Sequence, residues 1–345
     1  QGDGSDWDYK RNLPVGASFL AWGIWLSRSR VQFWGNGAAG GERTDQIYAR
    51  INQALTSGAD LVMLNMGTND ARQGYPLTHT QQYYKATVEA ILAAGMDLII
   101  TGVPPINDTV SAGTYPGLSV KDEMDRINAW LKWYCAQMRI PYVDVYTPLI
   151  DPATRSFLPE YYQDGVHLNL AATLIAGRAV ADCIGRLYAP ITGWGTASNV
   201  DATNLVGNAL GLTDSANDGI PDSWEALGTP TGGTATHTLE PIAGFPGKVI
   251  CIEQNANTNA RQLYYSRSIS SGMFAAGDLM RASIHVRMPA PSTVRPSVWV
   301  DFAGTSTPAR TQCRLISNWA ACDEWLTSVV EFRVPAVNCS ALGFY

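Results

Sequence analysis

The sequence predicts an α/β domain with a parallel sheet, followed by an all-β sandwich domain. Three observations lead to this prediction. The first part of the chain alternates short apolar runs with amphipathic helical patterns. A stretch rich in Gly, Pro, Ser, Thr and Asn then has the composition of a linker. Beyond it, apolar and polar residues alternate with a period of two. We therefore assign residues 1–190 to the α/β domain, 191–203 to the linker and 204–345 to the β domain.

Short apolar runs predict the parallel strands, at 13–16, 31–34, 60–65, 97–103 and 141–145. The helices between them are indicated by apolar residues at helical spacing: Ile47, Ile51, Ala54 and Leu55; Tyr84, Val88, Ile91 and Leu92; Met124, Ile127, Leu131 and Tyr134; Leu170, Leu174, Gly177, Ala181 and Ile184. The first two patterns end at Gly58 and Gly95, and glycine is a common helix stop. Because strands alternate with helices, we expect a parallel sheet covered on both faces, with its site at the carboxyl ends of the strands.

The β domain is predicted from three alternating runs. In the first, one face carries Met280, Ala282, Ile284, Val286 and Met288, while Arg, Ser and His lie on the other face. Residues 297–302 and 329–334 alternate in the same way. Half-buried antiparallel strands at this spacing favour a β-sandwich. Cys313 and Cys322 are close enough in sequence to be considered as a disulfide pair.

Composition excludes several classes of function. The net charge is −6 without any block of like charges, which disfavours nucleic acid and anionic membranes as partners. No apolar run approaches the roughly 18 residues of a membrane span, so we predict no membrane insertion. The cysteines and histidines lack metal-ligand spacing, and we predict no cofactor and no catalytic metal. Because the chain starts at Gln1 without a start methionine, we expect a processed or excised piece.

A serine, an imidazole and a carboxylate are the candidate catalytic groups. A serine hydroxyl becomes a nucleophile when an imidazole takes its proton, and a carboxylate fixes the tautomer of that imidazole. Ser18 follows the first predicted strand. Only His167 lies in the α/β domain with a carboxylate, Asp164, three residues before it. His79 lies at the start of a predicted helix, where we expect an ordinary exposed residue; His237 and His285 lie in the β domain.

Four segments together resemble the SGNH (GDSL-type) hydrolase family over roughly residues 12–187. They are Gly16-Ala17-Ser18, the stretch NGAAGGERT at 36–44, Gly67-Thr68-Asn69-Asp70, and DGVHL at 164–168. The resemblance implies a flavodoxin-like, three-layer α/β/α fold. It also implies that Ser18 is the nucleophile, that Asp164 and His167 are orienter and base, and that Ser18, Gly41 and Asn69 form the oxyanion hole. Counting from Asn36 favours Gly41 over Gly40.

Two departures from related patterns bear on this resemblance. Ala17 stands where the family usually has Asp, which is a supporting residue and not a triad member. Ser18 is followed by Phe19 and Leu20, so the Gly-x-Ser-x-Gly elbow of the α/β-hydrolases is absent. The sequence therefore favours the SGNH fold over the α/β-hydrolase fold.

The β domain carries two weaker resemblances. The stretch TDSANDGIPDSWE at 213–225 resembles a calcium loop, with Asp214, Asp218, Asp222 and Glu225 at ligand-like spacing. Ala216 stands where an oxygen ligand is usual, and the alternative is a polar loop before a strand. Residues 200–345 resemble jelly-roll carbohydrate-binding modules of hydrolases and phage tail proteins. The aromatic residues Tyr264, Tyr265, Trp299, Trp319 and Trp325 either stack on sugars or pack in the β domain.

These observations predict a serine esterase that removes O-acetyl groups from a polysaccharide through an acyl-enzyme. The expected partner is an acetylated surface polysaccharide, and the expected location is extracellular or on a phage tail. Whether the protein forms a homo-oligomer is left open. One alternative is a lipid esterase or thioesterase, with Trp22, Trp25 and Trp34 around an acyl pocket. Another is a non-catalytic glycan-binding protein on a decayed hydrolase scaffold, with Ala17 as a sign of decay. A metal-dependent deacetylase is a distant third.

Overall fold

The computed structural model describes residues 7–8, 13–14, 18–108, 117–189, 198–199, 204–227, 234–243, 246–255, 264–265, 267–270, 272–288, 297–303, 310–314, 322–334 and 341–344. The chain divides into two compact units, one made mainly of residues up to 190 and one made mainly of later residues. Most of the predicted linker lies outside the described residues. Within the described part of the chain, none of the helices has the length and hydrophobicity needed to span a membrane.

The N-terminal unit is a mixed α/β structure. Its helices are α1 (Phe19–Leu26), α2 (Thr44–Ala49), α3 (Asn52–Leu55), α4 (Thr68–Arg72), α5 (Leu77–Ala93), α6 (Val120–Met138) and α7 (Leu170–Leu187). Its strands are β1 (Trp7–Asp8), β2 (Leu13–Pro14), β3 (Leu61–Leu64), β4 (Asp97–Thr101) and β5 (Tyr142–Val143). Strands β3, β4 and β5 pair in parallel in that order, which confirms the predicted parallel sheet over these three runs.

Side chains of the sheet point alternately into two apolar clusters. Leu98 and Ile100 of β4 pack with buried residues of α5 and α6, whereas Ile99 between them packs with residues of α1 and α7. Because alternate side chains of β4 point to opposite faces and helices cover both faces, the unit has three layers, with the sheet between two layers of helices. The helix patterns of α5, α6 and α7 are confirmed, while the pattern at 47–55 forms two short helices, α2 and α3.

Two predicted strands are not found in the parallel sheet. Residues 31–34 form no strand, because neighbouring side chains hold this segment against other elements. The Arg30 guanidinium donates to the carbonyls of Gly185 and Tyr188, and the Trp34 indole donates to the carbonyl of Ser57. Of the run at 13–16, the described residues form β2, which pairs antiparallel with β1.

Glycines bring α1 and α7 into close contact. A Cβ atom on Gly177 of α7 would overlap the Trp22 side chain, and a Cβ atom on Gly23 of α1 would overlap the Val180 side chain. These contacts advance along both helices in the same direction, so α1 and α7 run roughly parallel. Their first residues therefore lie toward the same end of the sheet.

The described residues after 225 form strands, most of them in the second unit. They are β6 (Ala226–Leu227), β7 (Thr234–Pro241), β8 (Lys248–Asn255), β9 (Tyr264–Tyr265), β10 (Arg267–Ser270), β11 (Leu279–Met288), β12 (Ser297–Ala303), β13 (Arg310–Arg314), β14 (Cys322–Arg333) and β15 (Ala341–Phe344). An antiparallel sheet has the order β10–β15–β12–β13, and three further pairs are β7–β8, β6–β9 and β11–β14. The three predicted alternating runs are confirmed as strands, and the jelly-roll topology stays a prediction.

The cysteine pair considered from the sequence is not formed. The Cys322 thiol is free and buried. Burial raises the pKa of this thiol, which keeps it protonated near neutral pH. Cys322 therefore packs as a small apolar residue and does not cross-link to Cys313.

Candidate active site

Asp164 and His167 form a hydrogen-bonded pair in the turn before α7. The Asp164 Oδ2 atom lies 2.7 Å from His167 Nδ1, and Oδ1 accepts the backbone N–H groups of Val166 and His167 at 2.9 and 2.8 Å. Hydrogen bonds hold the pKa of Asp164 well below its usual range. The backbone N–H of His167 contributes most, followed by the His167 ring and the backbone N–H of Val166. An ionised Asp164 carboxylate can only accept a hydrogen bond, so the ring proton of His167 is placed on Nδ1. The other ring nitrogen, Nε2, is then free to accept a proton.

The turn that carries this pair is fixed from two directions. The His167 carbonyl accepts the backbone N–H of Gln163 at 3.0 Å, and the Gly165 carbonyl accepts that of Asn107 at 2.8 Å. Asn169 then caps α7, because its side chain accepts the N–H of Ala172. The imidazole is nevertheless accessible, with 45% of the His167 side chain exposed. A rigid but open imidazole is what a general base requires.

Ser18 lies at the first turn of α1. It has extended backbone angles, and its Oγ atom accepts the N–H of Ala21 at 3.1 Å as the cap of that helix. The cap bond uses a lone pair of the hydroxyl and leaves its proton available for donation. Ser18 is half-buried. Gly16 and Ala17 lie outside the described residues, so the Gly-Ala-Ser turn itself is not described.

Hydrogen bonds join the segment of Asn69 to the segment of Gly41. The Asn69 Nδ2 atom donates to the carbonyl of Glu42 at 2.9 Å, and the Gln73 side chain donates to the carbonyl of Gly41 at 3.2 Å. An amide nitrogen carries two protons, so Asn69 retains a second N–H for a ligand. Gly41 has φ +81°, a backbone conformation that favours glycine.

Gly67 explains why Asn69 has this position. Its φ is +112°, a backbone conformation that favours glycine, and a Cβ atom there would be in ordinary van der Waals contact with Val103, Thr80 and Ile127. The chain turns sharply at this point and starts α4 directly after β3. Asn69 consequently lies at the carboxyl end of the parallel sheet, where the sequence placed it.

A second histidine–aspartate pair was not predicted. The Asp70 side chain is fully buried and accepts the backbone N–H of Thr44 at 2.9 Å, the Thr44 hydroxyl at 2.6 Å and His79 Nδ1 at 3.0 Å. The expectation that His79 is an ordinary exposed residue is wrong, since only 19% of its side chain is exposed. Asp70 was visible in the Gly-Thr-Asn-Asp segment, but nothing local indicates its partners nine and 26 residues away.

Further contacts of His79 involve its second ring nitrogen and both faces of its ring. Its Nε2 atom lies 3.8 Å from a carboxylate oxygen of Asp45. The ring itself packs between those of Tyr75 and Tyr83, at centroid distances of 4.6 and 4.9 Å. Both ring nitrogens thus face carboxylates, which leaves His167 as the candidate base in this unit.

The predicted calcium loop is a hydrogen-bonded turn in the structure. Asp214 accepts the backbone N–H groups of Asp218 and Gly219, and Asp222 accepts both the N–H and the hydroxyl of Ser215. Glu225 is exposed. Among the described residues, no group of three or more His, Cys, Asp or Glu side chains has the arrangement of a metal site. These contacts account for the turn without a cation, and calcium binding stays a prediction.

This chain was compared with known families, curated proteins and solved structures. Residues 4–173 match the GDSL-like Lipase/Acylhydrolase family. No curated protein gives a significant match. A GDSL-like lipase from Bacteroides thetaiotaomicron is 22% identical, with 43% of this chain and 73% of that chain covered and a TM-score of 0.39. A member of the lipolytic protein G-D-S-L family from Veillonella parvula is 22% identical, with 55% and 93% covered and a TM-score of 0.41.

A third similar structure is a mutant of an acetyl-xylooligosaccharide esterase from Geobacillus stearmophilus. It is 17% identical, with 49% of this chain and 81% of that chain covered and a TM-score of 0.38. The family match spans the segments that hold Ser18, Gly41, Asn69, Asp164 and His167. Over residues 4–173 this chain is similar to the GDSL-like lipase/acylhydrolase (SGNH) family.

Proposed function

We propose that this chain is a serine esterase that removes O-acetyl groups from a polysaccharide. The observation that carries the proposal is the Asp164–His167 pair, whose ionised carboxylate orients an accessible imidazole. The family match supports ester hydrolysis. Ser18 is the proposed nucleophile, and Gly41 and Asn69 are proposed donors to the oxyanion.

The proposed reaction has two steps. Ser18 Oγ attacks the ester carbonyl carbon while His167 Nε2 takes the hydroxyl proton, and the oxyanion accepts N–H groups from Ser18, Gly41 and Asn69. The C–O bond to the sugar then breaks, and His167 gives its proton to the sugar oxygen. In the second step His167 deprotonates a water molecule, which attacks the acetyl carbonyl carbon. The bond from that carbon to Ser18 Oγ then breaks, His167 gives the proton to Oγ, and acetate leaves. Asp164 stays ionised throughout and stabilises the imidazolium.

Two observations favour a small acyl group on a polar alcohol. The lipid-esterase alternative places three tryptophans around an acyl pocket. Trp22 and Trp25 are buried in the core, so only Trp34, which is 58% exposed, is available to line one. A cavity beside the His167 turn has both apolar side chains, such as Ile106 and Leu158, and charged and hydroxyl groups in its wall. This mixture suits a sugar, which has C–H and O–H groups, better than an alkyl chain. A surface polysaccharide as substrate implies action outside the cell or on a phage tail.

The direct test is acetate release from O-acetylated bacterial polysaccharides by Ser18→Ala. We expect a loss of about 10⁴-fold or more, because without the nucleophile only binding and oxyanion contacts remain. Ser57→Ala is the matched control, since its hydroxyl bonds only within an exposed turn. Thermal unfolding separates lost chemistry from the lost helix cap, which is worth about 1 kcal/mol. Undiminished release by Ser18→Ala would remove Ser18 from the mechanism.

Further measurements separate the alternatives. A preference for long-chain over acetyl p-nitrophenyl esters would replace the acetyl-ester proposal with a lipid esterase. Absence of both fluorophosphonate labelling and ester turnover in the wild type would favour a glycan-binding protein without catalysis. Activity that is lost with EDTA would favour a metal-dependent deacetylase.

A further inference from the structure

A cavity of about 440 Å³ lies beside the turn that carries Asp164 and His167. Asn107 in its wall donates its backbone N–H to Gly165, inside that turn. Tyr162, also in the wall, pairs with Leu168, the residue after His167. The cavity volume falls within the roughly 300–1,000 Å³ of small-molecule sites. The cavity and the candidate base therefore share the same supporting segments.

The wall of the cavity presents hydrogen-bonding groups that are already held in place. The Lys121 ammonium donates to the carbonyl of Thr154 at 3.1 Å, which leaves two of its three N–H groups for a ligand. Asp108 accepts the backbone N–H of Lys121, and Asp151 accepts those of Ala153 and Thr154. Each carboxylate has further lone pairs that can accept hydroxyl protons.

The half-buried ring of Tyr162 accompanies these polar groups and packs on the buried ring of Phe157. The rings of Phe157 and Tyr162 lie 5.0 Å apart at an angle of 52°. The Tyr162 hydroxyl accepts the Asn107 side-chain N–H at 3.1 Å and retains its own proton for donation. An aromatic ring next to fixed donors and acceptors suits a ligand with both C–H and O–H groups.

The charges decide the class of ligand. One ammonium and two carboxylates face the same cavity, so neither a strongly acidic nor a strongly basic ligand is matched. An acyl chain would remove water from these charged groups without replacing its hydrogen bonds, which is costly. We propose that this cavity is a subsite for a neutral sugar residue of the substrate. This inference rests on the proposed esterase function, with the ester itself at Ser18.

The test compares two esters, partly O-acetylated xylotriose and p-nitrophenyl acetate. Lys121→Met and Tyr162→Phe are expected to lower the ratio of kcat/KM for the oligosaccharide over that for p-nitrophenyl acetate, each about tenfold, mainly through KM. Lys132→Met is the matched control, because Lys132 is exposed on the same helix α6 and lies outside the cavity wall. We expect this control to leave the ratio unchanged. An unchanged ratio in both cavity variants would overturn the subsite.

A binding measurement separates failure of the subsite from failure of the proposed function. Unacetylated xylotriose is titrated into Ser18→Ala, with and without Lys121→Met, and followed by saturation-transfer NMR. Weaker binding with Lys121→Met supports the subsite even if no acetate release is found. Equal binding in both proteins contradicts it. Wild-type protein that binds the sugar but releases no acetate from any acetylated glycan would contradict the esterase proposal alone.

Discussion

The two histidine–aspartate pairs of the N-terminal unit differ in exposure and in what else they contact. In the first pair the Asp164 and His167 side chains are 55% and 45% exposed, and Asp164 bonds only within its own turn. In the second pair Asp70 is fully buried and joins His79 to Thr44. The same pair of residue types thus provides an accessible proton acceptor in one place and a cross-link between segments in the other.

The buried pair also supports part of the proposed site. Asp70 follows Asn69 in α4, and Thr44 begins α2 directly after the segment with Gly41 and Glu42. By bonding the backbone and hydroxyl of Thr44, Asp70 fixes that segment to α4. We therefore expect the exposed pair to determine the rate and the buried pair to determine stability, and three predictions test this difference.

The largest effect is expected from replacing the two histidines separately. His167→Ala should lower kcat/KM for p-nitrophenyl acetate by about 10⁴-fold or more, because no other group takes the Ser18 proton. His79→Gln should leave kcat/KM within a few-fold and cost about 1 kcal/mol of unfolding free energy, since one hydrogen bond is weakened. Kinetics and urea denaturation of both variants provide the measurement. Equal losses of activity would contradict the separation of roles.

An intermediate effect is expected from Asp70→Asn. The amide still fills the space, but its NH2 group replaces one accepting oxygen, so it cannot accept all three hydrogen bonds from Thr44 and His79. We expect a loss of about 2–4 kcal/mol in unfolding free energy, measured by urea denaturation. Asp45→Asn is the control, because Asp45 is partly exposed and lies farther from His79. A smaller loss in Asp70→Asn than in Asp45→Asn would contradict the cross-link.

The smallest effect concerns pH. The pKa of Asp164 is lower in the folded protein than in the unfolded chain, where it is about 3.9. The ionised carboxylate therefore stabilises the fold at a pH above about 3.9. This stabilisation is lost as the pH falls toward the pKa of the folded protein. The difference in unfolding free energy between wild type and Asp164→Asn should be constant from pH 5 to 7 and shrink below about pH 4. Denaturation at several pH values measures it. A difference that grows as the pH falls would contradict the assignment.

Much of the candidate site was predictable because its signals are local. Asp164 and His167 are three residues apart, so one turn is sufficient to join them. The glycine before Thr68 and Asn69 indicates a sharp bend after an apolar strand. The periodic apolar residues of α5, α6 and α7 likewise predict those helices without reference to other parts of the chain.

Other features depend on contacts between distant segments. Residues 31–34 have the apolar character of a strand, yet Arg30 and Trp34 bond to the segments at 185–188 and 57, and no strand forms. A propensity for β-structure is weak compared with several side-chain hydrogen bonds, and the sequence does not reveal which partners will be near. The same limit applies to His79, whose partner Asp70 becomes visible only when α4 and α5 are packed together.

The α/β pattern, the Asp164–His167 turn and the sharp start of α4 can be read from the sequence, because each depends on neighbouring residues and on glycine. The buried cross-link between Asp70 and His79 becomes visible only in the folded chain, as does the cavity surrounded by Asn107, Lys121, Asp151 and Tyr162. These groups come from separate segments, and packing across the whole sheet determines which segments meet.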